Sequence, residues 1–223
     1  SYGLADLEAG VTSSPTTNYR LASVSKQFTA ASVLLLVEDG VLTLDDPVRR
    51  WLPTLPVATE TITLRHLLSH TSGLIDYEDL LPPDQVRQVY DADVLRLLER
   101  EDRLYFPAGS DYRYSNSGYA LLALVVERAS GQRFAAFLQA RIFSPLGMTA
   151  TLARQDEGPP VTDRAFGYTL VGDRWERTDQ STTSAVLGDG GIYSSITDLA
   201  KWDAAWYDDR LLSAASRKAM FSP

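Results

Sequence analysis

Apolar positions recur along this chain with the period of a helix far more often than with that of a strand. Between Ser23 and Asp39, the residues Phe28, Ala31, Val33, Leu34, Leu35 and Val37 fall at helical spacing, and Gly40 supplies a stop. The stretch Asp84–Glu101 is amphipathic, with Val86, Val89, Tyr90, Val94, Leu97 and Leu98 on one side. Ser117–Ser130 reads as an apolar helix closed by Gly131, and Phe134–Phe143 as another that ends before Pro145-Leu146-Gly147. Shorter helices are predicted at Val48–Leu52, after the turn Asp45-Asp46-Pro47, and at Leu64–His70, which Thr63 can cap and Gly73 ends. Thr197–Tyr207 and Ser213–Phe221 complete the helical set. Strand character is confined to Ser1–Glu8, which ends in the turn Glu8-Ala9-Gly10, and to parts of 151–190, with a hairpin around Val171-Gly172-Asp173. Thr12–Asn18 is a Ser/Thr/Pro-rich loop.

No repeat, low-complexity tract or Gly/Ser linker interrupts the 223 residues, so a single domain over 1–223 is expected. With 44% hydrophobic and 22% charged residues the composition is that of a globular protein and excludes wholesale disorder. A formal net charge of −8 speaks against nucleic acid as a partner, because phosphate binding needs clustered positive charge. The absence of cysteine excludes disulfides, thiol catalysis and thiolate metal sites. Apolar runs such as Tyr119–Val126 are too short for the roughly 30 Å of a bilayer core, so no membrane span is expected. No charged-then-apolar leader is read at the start, and the compartment stays open between the cytoplasm and a mature periplasmic or secreted state.

Two short segments bear on chemistry. Ser23-Val24-Ser25-Lys26 opens the strongest predicted helix, and residues three apart share a face, so the Ser23 hydroxyl and the Lys26 amine can meet. Lysine is scarce here, since only Lys26, Lys201 and Lys218 are lysines among the 21 basic residues. A serine becomes a nucleophile when a neighbouring base takes its proton, and a helix N-terminus can steady the resulting oxyanion. The plainer alternative is a capping serine followed by a solvated lysine. The second segment is Tyr114-Ser115-Asn116. A tyrosine beside an ammonium can act as a base, and an asparagine two residues on can hold a lysine or a substrate amide. Alternatively, Ser115 or Ser117 simply caps the next helix.

Taken together, Ser23-x-x-Lys26 and Tyr114-x-Asn116 resemble the serine β-lactamase and penicillin-binding protein family, in the branch of class C β-lactamases, D-amino-acid peptidases and esterases. Leu42-Thr43-Leu44-Asp45-Asp46-Pro47, Ile62-Thr63-Leu64-Arg65-His66-Leu67-Leu68-Ser69-His70-Thr71-Ser72-Gly73-Leu74, Pro107-Ala108-Gly109, Leu146-Gly147-Met148 and Gly188-x-Gly190-Gly191-Ile192-Tyr193-Ser194-Ser195 fit that branch in order. The resemblance implies an α/β (α+β) fold of β-lactamase/DD-peptidase type, mostly its helical portion with an incomplete antiparallel sheet. It also implies Ser23 as the acylated nucleophile, with Lys26 and Tyr114 sharing the base role. Asn116 would hold Lys26 and contact substrate, and Gly190 and Gly191 would border the site or simply form a tight turn. The implied substrates are small esters, D-amino-acid peptides or β-lactams, with no metal or organic cofactor.

One part of the pattern departs. The family's Lys/His-x-Gly triplet does not follow Tyr114, and the stretch is expected to lack the first strand and helix and the last strands and helix. Losing one oxyanion donor costs on the order of 10²–10³ in rate. A non-catalytic relative, or an inactive fragment that binds a ligand or partner, is therefore the competing expectation. A first strand left without neighbours would also favour self-association through an unpaired sheet edge.

The other features read more plainly. His66 and His70 have the spacing of a zinc pair, but no glutamate of the H-E-x-x-H kind accompanies them, and structural hydrogen bonding is the expectation. Tyr105, Phe106, Tyr112 and Tyr114 either line a pocket or pack in the core, while Trp202 and Trp206 are expected to pack inward.

Overall fold

The computed structural model describes residues 2–154 and 160–221. Ser1, at the head of the expected first strand, and residues 155–159 of the loop-and-strand region lie outside the described residues, as do Ser222 and Pro223. Helices dominate, and the strands are short and antiparallel, as expected from the sequence.

The central helix α1 (Lys26–Glu38) is apolar on every side. Phe28, Ala31, Val33, Leu34, Leu35 and Leu36 are all buried, as a helix enclosed by other elements requires. Its N-terminus corrects the sequence reading: Ala22–Ser25 form a 3₁₀ turn, and the α-helix proper begins at Lys26. α2 (Val48–Trp51) and α3 (Leu64–Leu68) follow. Thr63 caps α3 by accepting the His66 N–H, and the His66 imidazole returns the bond by accepting the Thr63 N–H.

α4 is shorter than its amphipathic pattern suggests, spanning Asp91–Leu98 rather than 84–101. The Val89 N–H is drawn to the Thr182 carbonyl at 2.7 Å, and the Asp93 carboxylate accepts the Tyr90 N–H. These tertiary and capping bonds hold residues before Asp91 out of the helix. α5 (Asn116–Ser130) is capped by Ser115, whose hydroxyl accepts the Gly118 N–H at 3.1 Å. It packs against α1, α3 and α4. α6 (Phe134–Leu138) widens into a π turn over Gln139–Phe143 instead of running on as one α-helix. Phe28 of α1 sits edge-on to Phe143 and against Trp202, tying these elements together.

Of the strands, β1 (Leu4–Asp6) pairs with β2 (Val11–Thr12), which corrects the expectation that the first strand stands without a neighbour. β3 (Tyr19–Arg20), β4 (Leu152–Ala153) and β7 (Ile192–Ser194) form a sheet in the order β3-β7-β4, with Arg20 and Leu152 both opposite Tyr193. β5 (Tyr168–Val171) and β6 (Arg174–Arg177) form the expected hairpin. Gly172 adopts φ +60° at its turn, a conformation that costs glycine little. α7 (Leu187–Gly190), α8 (Ile196–Ala204) and α9 (Ala214–Met220) complete the chain. Trp202 is buried, and Trp206, in the turn after α8, stands edge-on to it. Among the described residues, no helix is long and apolar enough to cross a membrane.

Candidate active site

The site lies where the 3₁₀ turn, α1, the start of α5 and α7 meet. The Lys26 N–H closes the 3₁₀ turn on the Ser23 carbonyl, and this i→i+3 bond puts the two residues on one face. Ser23 is exposed, while Lys26 is only 7% exposed. The turn is held from both sides. The Leu21 N–H donates to the Ile192 carbonyl at 2.9 Å, and the Ile192 N–H donates to Ser25 Oγ at 3.2 Å. These bonds from β7 sustain Ala22 at φ +47°, a left-handed conformation costing about 1–2 kcal/mol in a non-glycine residue.

Lys26 Nζ donates to three acceptors: Ser23 Oγ at 3.2 Å, Asn116 Oδ1 at 2.8 Å and the Asp189 carbonyl at 2.9 Å. An ammonium has three protons, and each has a place here. The Tyr114 hydroxyl donates to Ser23 Oγ at 2.7 Å, and Lys26 Nζ lies 4.8 Å from the Tyr114 ring centroid. The structure thus brings Ser23, Lys26, Tyr114 and Asn116 together across 90 residues of sequence. Chemically, the Ser23 hydroxyl touches two groups able to exchange protons with it, one of them beside a fixed positive charge.

In Tyr114-Ser115-Asn116 helix capping and contact with Ser23 and Lys26 coexist. Ser115 is the helix cap, while its two neighbours turn to Ser23 and Lys26. The Asn116 N–H is anchored on Asp76 Oδ2 at 3.1 Å, which fixes the carboxamide. Gly190 lies against the Ala22 backbone, where a Cβ would come within 3.4 Å, and a Cβ on Gly191 would meet Leu187 at 2.6 Å. Close packing therefore accounts for Gly191 at the rim of the site, while at Gly190 a Cβ would make only ordinary contact. Tyr112 and Tyr114 are exposed and Tyr105 and Phe106 half-buried, so this cluster is surface rather than core.

Several further residues surround the site without being assigned to it by the motifs, among them His70, whose expected structural hydrogen bond is found here. His70, at φ +60°, accepts the Ser115 N–H on Nδ1 at 3.1 Å and lies between Tyr114 and Tyr119, with ring centroids 4.6 and 5.1 Å away. Burial, reinforced by the Lys26 charge, pushes its imidazole down to about 4, so it is neutral at pH 7. His66 and His70 each spend Nδ1 on a backbone N–H, and among the described residues no group of three or more His, Cys, Asp or Glu is placed to hold a metal ion. Asp189 is the unspecified position within Gly188-x-Gly190-Gly191. Its carboxylate accepts from the buried Tyr77 hydroxyl at 2.9 Å. Burial raises the Asp189 carboxyl to about 7, against the opposing pull of Lys26 and with the help of nearby Asp91. Asp91, raised to about 6 by burial, accepts the N–H groups of Leu187 and Gly188 at 2.9 Å each and so seats α7. Their places beside Lys26 follow from the positive φ of His70 and the burial of Asp189, and both are tertiary facts.

The family model described as Beta-lactamase matches residues 1–223. The chain is 35% identical to penicillin-binding protein 4* of Bacillus subtilis, over all of this chain and 52% of that protein. It is 33% identical to the putative penicillin-binding protein PbpX of the same organism, over all of this chain and 54% of that one. The chain thus spans about half the length of these curated relatives. Among solved structures, it is similar to an octameric penicillin-binding protein homologue from Pyrococcus abyssi, with TM-score 0.87 and 28% identity, over 99% of this chain and 52% of that one. It is also similar to the D-amino acid amidase of Ochrobactrum anthropi, with TM-score 0.85 and 30% identity, over 97% of this chain and 63% of that one. With its motifs in order, Lys26 and Tyr114 on the Ser23 hydroxyl and the family model matched from end to end, the chain belongs to the β-lactamase family.

Proposed function

We propose that the chain carries the acylating centre of a serine hydrolase that cleaves small esters, D-amino-acid amides or peptides, or β-lactams through an acyl-enzyme. The observation that carries this reading is the position of Ser23 Oγ, 2.7 Å from the Tyr114 hydroxyl and 3.2 Å from Lys26 Nζ.

Because all three Lys26 protons have acceptors, Lys26 works best as an ammonium that stabilises a Tyr114 phenolate, with Tyr114 as the base. The Ser23 proton passes to the Tyr114 oxygen as Oγ attacks the substrate carbonyl. The tetrahedral oxyanion is met by the Ser23 N–H, one of the groups at the start of the turn with no partner within it. When the intermediate collapses, the scissile C–O or C–N bond breaks and Tyr114 returns the proton to the leaving group. A water then attacks the acyl-enzyme by the same route in reverse. Asn116 holds Lys26 and faces the substrate, with Gly190 and Gly191 at the rim. The D-amino acid amidase among the similar structures favours amides of D-amino acids as the first substrates to try. The octameric relative makes self-association part of the same proposal, to be checked by size-exclusion chromatography with light scattering.

The test is intact mass of the 223-residue chain before and after incubation with a serine-acylating probe, followed by peptide mapping. One adduct on Ser23, absent from Ser23→Ala, is expected. An adduct elsewhere sinks the assignment of the nucleophile, and no adduct on a folded chain favours a non-catalytic binding protein.

A further inference from the structure

We infer that His70 is a positioning residue that aims the Tyr114 hydroxyl at Ser23: its carbonyl and its imidazole take the two backbone N–H groups that flank Tyr114, and its ring backs the Tyr114 ring. The consequence for acylation rests on the reading of Ser23, Lys26 and Tyr114 above, whereas the clamp itself does not.

Tyr114 is 43% exposed and precedes the first residue of α5, so neither burial nor helical hydrogen bonds fix it. Its hydroxyl nevertheless reaches Ser23 Oγ at 2.7 Å, and proton transfer over that distance needs a ring held in one direction. His70 supplies the hold. The Arg113 N–H donates to the His70 carbonyl at 3.0 Å, and the Ser115 N–H donates to His70 Nδ1 at 3.1 Å. Both neighbours of Tyr114 are thus tied to a single residue. The imidazole lies 4.6 Å from the Tyr114 ring, centroid to centroid and tilted by 31°. On its other side Tyr119 of α5 lies at 5.1 Å, tilted by 32°. Tyr119 is buried, and its hydroxyl donates to the Leu68 carbonyl at 3.0 Å, so the imidazole rests on a fixed wall and passes its position on to Tyr114.

His70 is itself anchored. Its φ of +60° strains a residue that carries a Cβ, and bonds on the C-terminal side sustain it. The Thr71 N–H donates to the His66 carbonyl at 3.0 Å, and the Gly109 N–H donates to the Thr71 carbonyl at 2.8 Å. The Tyr105 N–H donates to the Gly73 carbonyl at 2.7 Å, next to the bridge between Leu74 and Leu104. The segment that carries His70 is therefore laced to 104–113, the stretch that leads into Tyr114.

Only a neutral imidazole can close this clamp. With Nδ1 accepting from Ser115, the ring proton sits on Nε2. A second proton would go to Nδ1 and set one donor against another. The titratable groups around the ring are Lys26 of α1, Tyr112 and Tyr114 before α5, and Tyr119 within α5. Burial, and after it the Lys26 charge, oppose that second proton and keep the ring neutral down to about pH 4. The clamp is closed at neutral pH and opens in acid.

The kinetics of adduct formation with the serine-acylating probe test this in the full 223-residue chain. His70→Gly adopts φ +60° without strain and removes the imidazole, and it should slow acylation of Ser23 by about 10–100-fold. His70→Asn tolerates that φ and offers an oxygen near the place of Nδ1, so it should be faster than His70→Gly. A His70→Asn variant as slow as His70→Gly contradicts the acceptor role. In a Tyr114→Phe background, His70→Gly should cost nothing further, because no hydroxyl is left to aim. An equal loss in both backgrounds, the mark of a merely structural residue, overturns the inference. If His70→Gly does not fold, the unmodified chain decides. Its Ser115 amide, followed by ¹⁵N NMR from neutral pH into acid, should shift with a midpoint of about 4 as His70 takes up its proton. A Ser115 amide that does not titrate overturns the clamp. A chain whose Ser115 titrates but whose Ser23 takes no adduct defeats the functional reading alone. A His70→Gly variant that acylates at the unmodified rate defeats this inference alone.

Discussion

The junction of the 3₁₀ turn, α1, α5 and α7 and the hairpin β5–β6 both bring a basic side chain onto acidic and phenolic groups, with opposite results. At the junction, Lys26, Asp189 and Tyr77 are almost wholly removed from water. At the hairpin, Arg177 of β6 donates to Glu8 at 2.7 Å and to Asp6 at 3.3 Å, beside Tyr168 of β5, all at the surface. Hydrogen bonds from Tyr168 and Arg177 hold the Glu8 carboxyl down at about 2. In the interior the dominant influence is instead burial, which pushes Asp189 up to about 7. The lesson is that the same residue types pin charges in place where water screens them, and become proton-exchanging groups where it is excluded.

The sharpest way to break this comparison is at the junction. Tyr114→Phe should leave the fold intact, since the ring is partly exposed, yet lower acylation by on the order of 10²–10⁴-fold, measured by adduct-formation kinetics. Undiminished kinetics would move the base role to Lys26. Next in size is Gly188→Ala. The new Cβ would stand 2.2 Å from the Tyr119 carbonyl and 2.8 Å from Ala123 Cβ, so α7 must leave its seat on α5. A loss of about 1–3 kcal/mol or more in urea unfolding is expected. Wild-type stability would show that α7 can shift freely.

A smaller effect is the pH dependence of stability. Asp91 and Asp189 have folded-state values of about 6 and about 7, both above the ordinary 3.8. The native state therefore holds protons that the unfolded chain releases. Stability from these two groups is fully present below the ordinary value and is lost as pH rises through 6 and then 7. Urea midpoints should fall between about pH 4 and pH 7, and Asp91→Asn should flatten the first part of that fall. A flat profile in the unmodified chain would contradict it. The smallest effect is expected at the hairpin, where Arg177→Ala should leave the unfolding midpoint unchanged, at low and high salt alike.

Much of the helical framework is legible in the sequence. The apolar run of α1, the Ser115 and Thr63 caps and the turn at Gly172 are local, and each holds in the structure. The lengths of α4 and α6 are less legible, because the Val89 bond to Thr182 and the π turn at Gln139–Phe143 depend on partners distant in the chain. The pairing of β1 with β2 is masked by a weak, mixed strand pattern.

For the site, the sequence by itself determined that Ser23 and Lys26 share a face and, through the ordered motifs, that Tyr114 and Asn116 belong with them. Only the tertiary structure decided how they meet. Ala22 is forced to φ +47° by bonds to β7, and Asn116 Oδ1 and the Asp189 carbonyl converge on Lys26 from α5 and α7. The physical reason is reach. Spacing along a helix is set by neighbouring residues, whereas two of the three acceptors that hold Lys26 belong to residues 90 and 163 positions away.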